Sequence, residues 1–340
     1  MFPALIEKLR RQEDLTTAEA ADAMSAIMKG EAAQAQIAGL LVGLSIKGER
    51  PTELVGFAQT MRANAVSIKP PAGAVFDTCG TGGDRSGTFN ISTASALVLA
   101  ACGIRIAKHG NRSVSSQCGS ADVLETLGVN IQATPAVVEQ CLNEVGVAFL
   151  FAPTFHPAMK HAGQVRKDLG VRTAFNLLGP LTNPARPSRQ IVGVPRPELT
   201  ELLARSLSLL GSERAWVVHG ADGLDELSTT GYTKVSESRG DSVQTFYVHP
   251  ADFGFTKASP EALKGGDAAK NAAIVRAVLS GEAGPQRDVV LLNAGAALFV
   301  AGDAETVKAG IGKAAAAIDD GSAKGVLDKL IAVSNRGASA

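Results

Sequence analysis

Four stretches place donors, glycines and acids at spacings that could handle a charged ligand. The first is Gly80-Thr81-Gly82-Gly83-Asp84, followed by Thr88 and by Asn90-Ile91-Ser92-Thr93. Residues without a Cβ let backbone N–H groups turn inward and close on an anion. Amides at a helix start favour negative charge for the same reason. The pattern is neither a dinucleotide G-x-G-x-x-G loop nor a Walker loop ending in Gly-Lys-Ser/Thr. Its plainer alternative is a tight turn and an N-cap.

The second stretch, Lys108-His109-Gly110-Asn111-Arg112-Ser113-Val114-Ser115-Ser116, offers cations, an amide and three serines but no acid. That supply suits a polyanion, although a polar surface loop is the ordinary alternative. Ser120 opens the next helix with a further possible phosphate cap. The third is Asp222-Gly223-Leu224-Asp225-Glu226, whose adjacent carboxylates are hard oxygen ligands of the kind Mg²⁺ takes alongside waters and substrate phosphates. Two solvated acids on a turn are the alternative there. The fourth runs from His156 to Thr173 and carries Arg166, a residue type suited to bidentate carboxylate recognition.

The bulk composition narrows the classes. The chain has 340 residues, 45% hydrophobic and 19% charged, with Lys+Arg and Asp+Glu both at 33. A zero net charge argues against a protein that chiefly neutralises nucleic-acid phosphates. With aromatics at 4%, base-stacking platforms have little material. No apolar run is long enough to span a bilayer. The four cysteines show no zinc spacing. Without a signal-like start, they read as reduced thiols of a cytoplasmic protein.

These stretches need elements to hold them. The first seventy residues predict helices only. A capping box, Thr16 with Glu19, opens one toward Met28. A second fits Glu31 to Lys47, and a third runs from Pro51 to about Ala63. Residues 67–73, rich in proline, mark the end of a small helical domain over 1–70. From residue 74 to 340, β-rich runs alternate with helical ones. Strands are expected at Val75-Phe76, Ile104-Ala107, Val147-Phe151, Gln190-Val194 and Ala215-His219. Helices are expected at Thr93–Cys102, Ala121–Leu127 and Pro197–Leu210. A hairpin pairs Val235-Ser238 with Val243-Val248. This is an α/β domain with a central, mostly parallel sheet flanked by helices. Each of the first three stretches follows a strand, where such sheets bind ligands.

The motifs "GTGGD", "NIST", "KHGNRSVSS", "GSADVLETLG", "RTAFNLLGPLTNP" and "VHGADGLDELS" occur in this order. Together they resemble the anthranilate phosphoribosyltransferase family of tryptophan biosynthesis, over nearly the whole chain. Ala174 and Cys118 are mild departures from its pattern. The resemblance implies a helical domain joined by a returning segment near 157–180, and a homodimer formed through the helical domains. It implies small-molecule substrates, with neither nucleic acid nor membrane as partner. Phosphoribosyl pyrophosphate would be held by Gly80 to Asp84, Thr88, Asn90 to Thr93, Lys108, Gly110, Asn111, Arg112, Ser113, Ser115, Ser116 and Ser120. Anthranilate would meet Gly80, Asn111 and Arg166. Mg²⁺ would sit at Ser92, Asp225 and Glu226. Lys108 would act electrostatically, and His109 is the tempting but optional base. A pyrimidine nucleoside phosphorylase shares the architecture, and a non-catalytic nucleotide-binding relative is a third reading. The Asn111-Arg112 and Asp225-Glu226 pairs favour the pyrophosphate substrate.

Overall fold

The computed structural model describes residues 1–69, 73–113 and 117–337. Of the expected ligand residues, Ser115 and Ser116 lie outside the described residues, as do residues 70–72 of the expected connector.

Four helices open the chain: α1 (Phe2–Arg10), α2 (Thr17–Met28), α3 (Gln34–Lys47) and α4 (Pro51–Ala63). The capping box forms as its spacing predicts. Thr16 Oγ1 accepts the Glu19 N–H at 3.2 Å, and the Glu19 carboxylate accepts the Thr16 N–H at 2.9 Å. The start of α3 moves from Glu31 to Gln34 because the Gln36 side chain accepts the Ala33 N–H and fixes the first turn there, at 3.0 Å. Ile27, Leu40, Leu44, Leu54 and Phe57 face inward and are buried. Removing a side chain of that size from such a core costs about 2–5 kcal/mol.

The remainder alternates strands and helices. In order come β1 (Phe76–Gly80), α5 (Ile91–Ala101), β2 (Ile106–Gly110), α6 (Ser120–Thr126), α7 (Pro135–Glu144) and β3 (Val147–Phe151). Next are α8 (Ala152–Phe155), α9 (Lys160–Leu169), β4 (Arg189–Gly193), α10 (Leu199–Leu209) and β5 (Arg214–Gly220). The hairpin β6 (Thr233–Arg239) and β7 (Ser242–Val248) follows, then α11 (Ala268–Leu279), α12 (Pro285–Ala301), α13 (Val307–Asp319) and α14 (Ser322–Ser334). The sheet order is β3-β2-β1-β4-β5-β6-β7. Pairings from β3 across to β5 are parallel, and β6 and β7 are antiparallel.

Two differences from the sequence reading have physical causes. β1 runs on to Gly80 through Asp77 and Thr78, which apolar patterning does not flag. Asp77 is tolerated there, fully buried, because Asn183 Nδ2 donates to it at 2.8 Å. Helix α7, not among the expected helices, starts at Thr134, whose hydroxyl accepts the Val137 N–H at 3.4 Å.

From β1 the chain winds outward to β2 and β3, then returns to lay β4 and β5 on the other side. The topological switch point therefore falls between β1 and β4. Helix α9, within residues 160–181, packs against α2 and α3. Phe175, Leu177 and Leu181 lie in one hydrophobic core with α1 to α4 and with α10. Helices α12 and α14 pack on α5 over the opposite face of the sheet. Among the described residues, no helix is long and apolar enough to cross a membrane.

Candidate active site

A cleft of about 1050 Å³ opens at the C-terminal strand ends, between the sheet and residues 152–182. Its floor is the switch point. Gly80 and Gly193 end β1 and β4 as register partners, and Asp225 sits on both. A Cβ on Gly80 would lie 2.2 Å from Asp225 Oδ2, and one on Gly193 would lie 1.5 Å from the Asp225 carbonyl oxygen. Only glycine permits this approach. Asp225 then accepts the Gly82 N–H at 3.0 Å, so its carboxylate lies beneath the glycine-rich loop.

Glu226 reaches the N-terminus of α5, where it accepts the Ser92 N–H at 3.1 Å. Carboxylates are favoured at that positive end of a helix. Even so, both carboxyl groups are pushed above the ordinary carboxylate range. Burial is the chief cause for each, reinforced by the neighbouring Asp84 for Asp225 and by Asp225 for Glu226. Lys108 answers this acidity from β2. It is buried, and its Nζ donates to the Thr78 carbonyl at 2.7 Å and to Ser92 Oγ at 3.1 Å. Beneath it, burial raises the Asp77 carboxyl to about 6, opposed by the charge of Lys108.

The donor set suits a hard divalent cation. Asp225, Glu226 and the Ser92 hydroxyl offer oxygens, and a cation there would offset the cost of two buried carboxylates. Among the described residues, no group of three or more His, Cys, Asp or Glu side chains is arranged to hold a metal by itself. A metal at this place must complete its shell with water and substrate oxygens, the habit of Mg²⁺.

The remaining expected residues divide. Gly80 to Asp84, Thr88, Asn90, Ile91, Ser92, Lys108 to Ser113, Ser120, Arg166, Asp225 and Glu226 all line the cleft. Thr93 is not among the lining residues. One residue beyond Ser92, the helix has turned by about 100°. Its side chain therefore faces the core, where it is 1% exposed. Arg112 borders the cleft but spends its guanidinium on α6, pairing with Asp122 at 3.0 Å and Glu125 at 2.7 Å. Asn90 is held in place by Asn271 Nδ2, which donates to its Oδ1 at 3.0 Å.

At the helical end, Arg166 of α9 stands 5.5 Å over the Phe175 ring, and burial lowers its pKa. His109 lies across from it, with Nδ1 3.1 Å from the Gly179 carbonyl and its ring 5.2 Å from that of His156. A carbonyl can only accept, so Nδ1 carries the proton and donates. Burial, then the neighbouring His156, lowers the His109 pKa to about 3, and burial lowers His156 to about 4. Both imidazoles are neutral at pH 7.

Several lining residues carried no sequence signal. Met61, Met159 and Pro180 contribute from the helical side, and Lys264, Gly265 and Asn271 from the segment before and within α11. The resemblance marked 157–180 as a segment returning to the helical domain but not which of its side chains face the cleft. Arg172 opens the RTAFNLLGPLTNP motif, for which no role was expected. Its Nη2 donates to the Thr81 carbonyl at 3.2 Å.

Comparison with known proteins adds an independent line. Residues 3–65 match the helical bundle domain of a glycosyl transferase family, and residues 72–324 match the a/b domain of that family. The anthranilate phosphoribosyltransferase of Acetivibrio thermocellus is 50% identical over 335 residues, 98% of this chain and 97% of that protein. The crystal structure of the Thermus thermophilus anthranilate phosphoribosyltransferase superposes with a TM-score of 0.92 at 44% identity, covering 97% of this chain and 99% of that one. The Saccharomyces cerevisiae enzyme, solved in complex with PRPP and Mg, superposes at 0.90 with 28% identity, covering 98% of each chain.

Proposed function

Since this chain belongs to the anthranilate phosphoribosyltransferase family, we propose that its cleft moves the phosphoribosyl group of phosphoribosyl pyrophosphate onto the amino group of anthranilate. The products are N-(5-phosphoribosyl)anthranilate and pyrophosphate, a step of tryptophan biosynthesis. The observation that carries this reading is the acidic pair of half-buried Asp225 and buried Glu226, set between the glycine-rich loop and the α5 N-terminus, where Lys108 donates to Ser92.

Breaking the bond from ribose C1 to pyrophosphate builds positive charge on the sugar and negative charge on the leaving group. Lys108 and the loop amides face that negative charge, preorganised and already partly dehydrated. Ser92, Asp225 and Glu226 would hold Mg²⁺, which when bound supplies Lewis-acid stabilisation of the pyrophosphate. Arg166, whose guanidinium pairs with no carboxylate among the described residues, would receive the anthranilate carboxylate. That places the aniline nitrogen, already a neutral nucleophile, toward C1. Holding it there counts for more than deprotonating it beforehand. His109 is buried and neutral, which suits shaping the wall better than relaying protons, and no covalent intermediate is required.

The test is direct. Loss of anthranilate fluorescence is followed after mixing protein, phosphoribosyl pyrophosphate and Mg²⁺, with a chelator as control. Turnover that requires all three supports the reading, and no change in fluorescence overturns it.

The helical domain would pair two copies. Val42 and Ile46 of α3 lie one turn apart at 36% and 73% exposure, an apolar strip that a second copy would cover. Light scattering at the mass of two chains is expected. A monomer would refute pairing. Placement in the cytoplasm rests on the four cysteines, which form no disulfide among the described residues.

A further inference from the structure

The Thr81–Gly82 peptide is held at both ends. Arg172 Nη2 donates to the Thr81 carbonyl at 3.2 Å, while the Gly82 N–H donates to Asp225 at 3.0 Å. In a trans peptide these two groups point to opposite sides, so the pair of bonds fixes the orientation of the plane. Just upstream, the Thr81 N–H donates to the Gly193 carbonyl at 2.9 Å. Downstream, Gly83 has φ +82, and a Cβ on it would stand 1.9 Å from Arg172 Nη1. The guanidinium occupies the space that any other residue's side chain would need.

Arg172 itself rises from a fixed base. The Thr173 N–H donates to Asn176 Oδ1 at 2.9 Å, and Ala174 and Phe175 are buried in the core shared with the helical domain. Its partner carbonyl, on Thr81, comes directly after the end of β1. The side chain therefore spans the cleft from the segment that follows α9 to the glycine-rich loop. That loop needs such support. Gly82, Gly83, Arg85 and Gly87 all adopt positive φ, so without a constraint it has many conformations to lose when a ligand binds.

We propose that Arg172 is a positioning residue for the glycine-rich loop. It sets the Thr81–Gly82 peptide so that the following amides are presented to pyrophosphate, and it ties that orientation to the segment packed on the helical domain. The role rests on the proposed function, in that pyrophosphate is what the loop receives.

Three measurements on Arg172→Ala and Arg172→Lys test it: steady-state kinetics in both substrates, calorimetric binding of pyrophosphate with Mg²⁺, and thermal midpoint. Arg172→Ala is expected to raise the KM for phosphoribosyl pyrophosphate and the pyrophosphate Kd together, by roughly tenfold to a hundredfold. The KM for anthranilate and the thermal midpoint stay near wild type. Lysine keeps the charge but not the planar fork, so Arg172→Lys should recover only part of the loss. Full recovery by lysine would reduce the role to charge alone and overturn the proposal. So would an effect confined to anthranilate, or to the midpoint. Wild-type protein without transfer activity would break the functional reading instead, and the calorimetry would still decide the role of Arg172.

Discussion

On the strand-end side of the cleft, buried Lys108 stands beside Asp225 and Glu226, whose carboxyls burial pushes toward the neutral form. On the helical side, His109 and His156 face the same cleft but have shed their charge, and Arg166 keeps its own over the Phe175 ring. One wall stores electrostatic strain and the other relieves it. On the proposed function, the strained wall is where a polyanion and a metal would repay the cost. The relaxed wall suits a flat aromatic acid that must be oriented, not ionised.

The largest break in this contrast comes from removing the acids. Asp225→Asn with Glu226→Gln is expected to lower kcat by about 10³-fold, as loss of preorganised charge stabilisation does. Stability should move the other way. Both carboxyls are raised by burial, so at pH 7 their ionised forms cost folding free energy. Neutral replacements relieve that cost, and the thermal midpoint should hold or rise. Unchanged kinetics, or a collapsed midpoint, would put the strain elsewhere.

Lys108 sharpens the same wall from its cationic side. Lys108→Met should lower kcat/KM by about 10²-fold, and here stability falls too. The substitution strips the Thr78 carbonyl of its donor and Asp77 of its nearby cation. A buried charge left without its partner costs about 3 kcal/mol. Opposite signs of stability change for the acids and the lysine would establish that burial, not packing, sets this wall. Chemical denaturation of both variants beside wild type reads the signs.

The two walls were unequally legible in the sequence. Gly80 to Asp84, Lys108 and Asp225-Glu226 each lie at or shortly beyond the C-terminal end of a strand, so position and residue type pointed to one place. The order of the strands then brought those stretches together at the switch point. The helical wall gathers Met61, His156, Met159, Arg166, Phe175 and Pro180 from three separate segments, and nothing local marks which of their faces turns inward. Asp77 was hidden for another reason. A carboxylate inside a buried strand contradicts the apolar pattern, and its partner Asn183 stands 106 residues away. Thr93 is buried at the start of α5, and a loop pattern does not tell where helical rotation begins to turn side chains into the core.

Arg166 tests the relaxed wall with a smaller effect. Arg166→Ala should raise the KM for anthranilate by roughly tenfold to a hundredfold, the range for losing hydrogen bonds to a charged group. The KM for phosphoribosyl pyrophosphate should change little. If the phosphoribosyl substrate alone weakens, the two walls have been assigned to the wrong ligands.

His109 gives the smallest change in rate and the sharpest statement about its wall. Its pKa falls to about 3 in the fold, against an unfolded value near 6.5. The unfolded chain therefore binds a proton between these limits that the folded one refuses. Stability from this residue is fully present above pH 6.5 and is lost as pH falls toward 3. Between pH 7.5 and pH 5 the loss is about 2 kcal/mol. His109→Asn retains an N–H for the Gly179 carbonyl but has no proton to gain. The variant's unfolding free energy should fall less than that of wild type over the same interval, by roughly that amount. At pH 7.5 kcat should stay within about threefold, because a neutral, buried imidazole is not the source of the rate. A drop of a hundredfold or more with an unchanged acid slope would make His109 a working base, and the helical wall would then be as chemically charged as the one it faces.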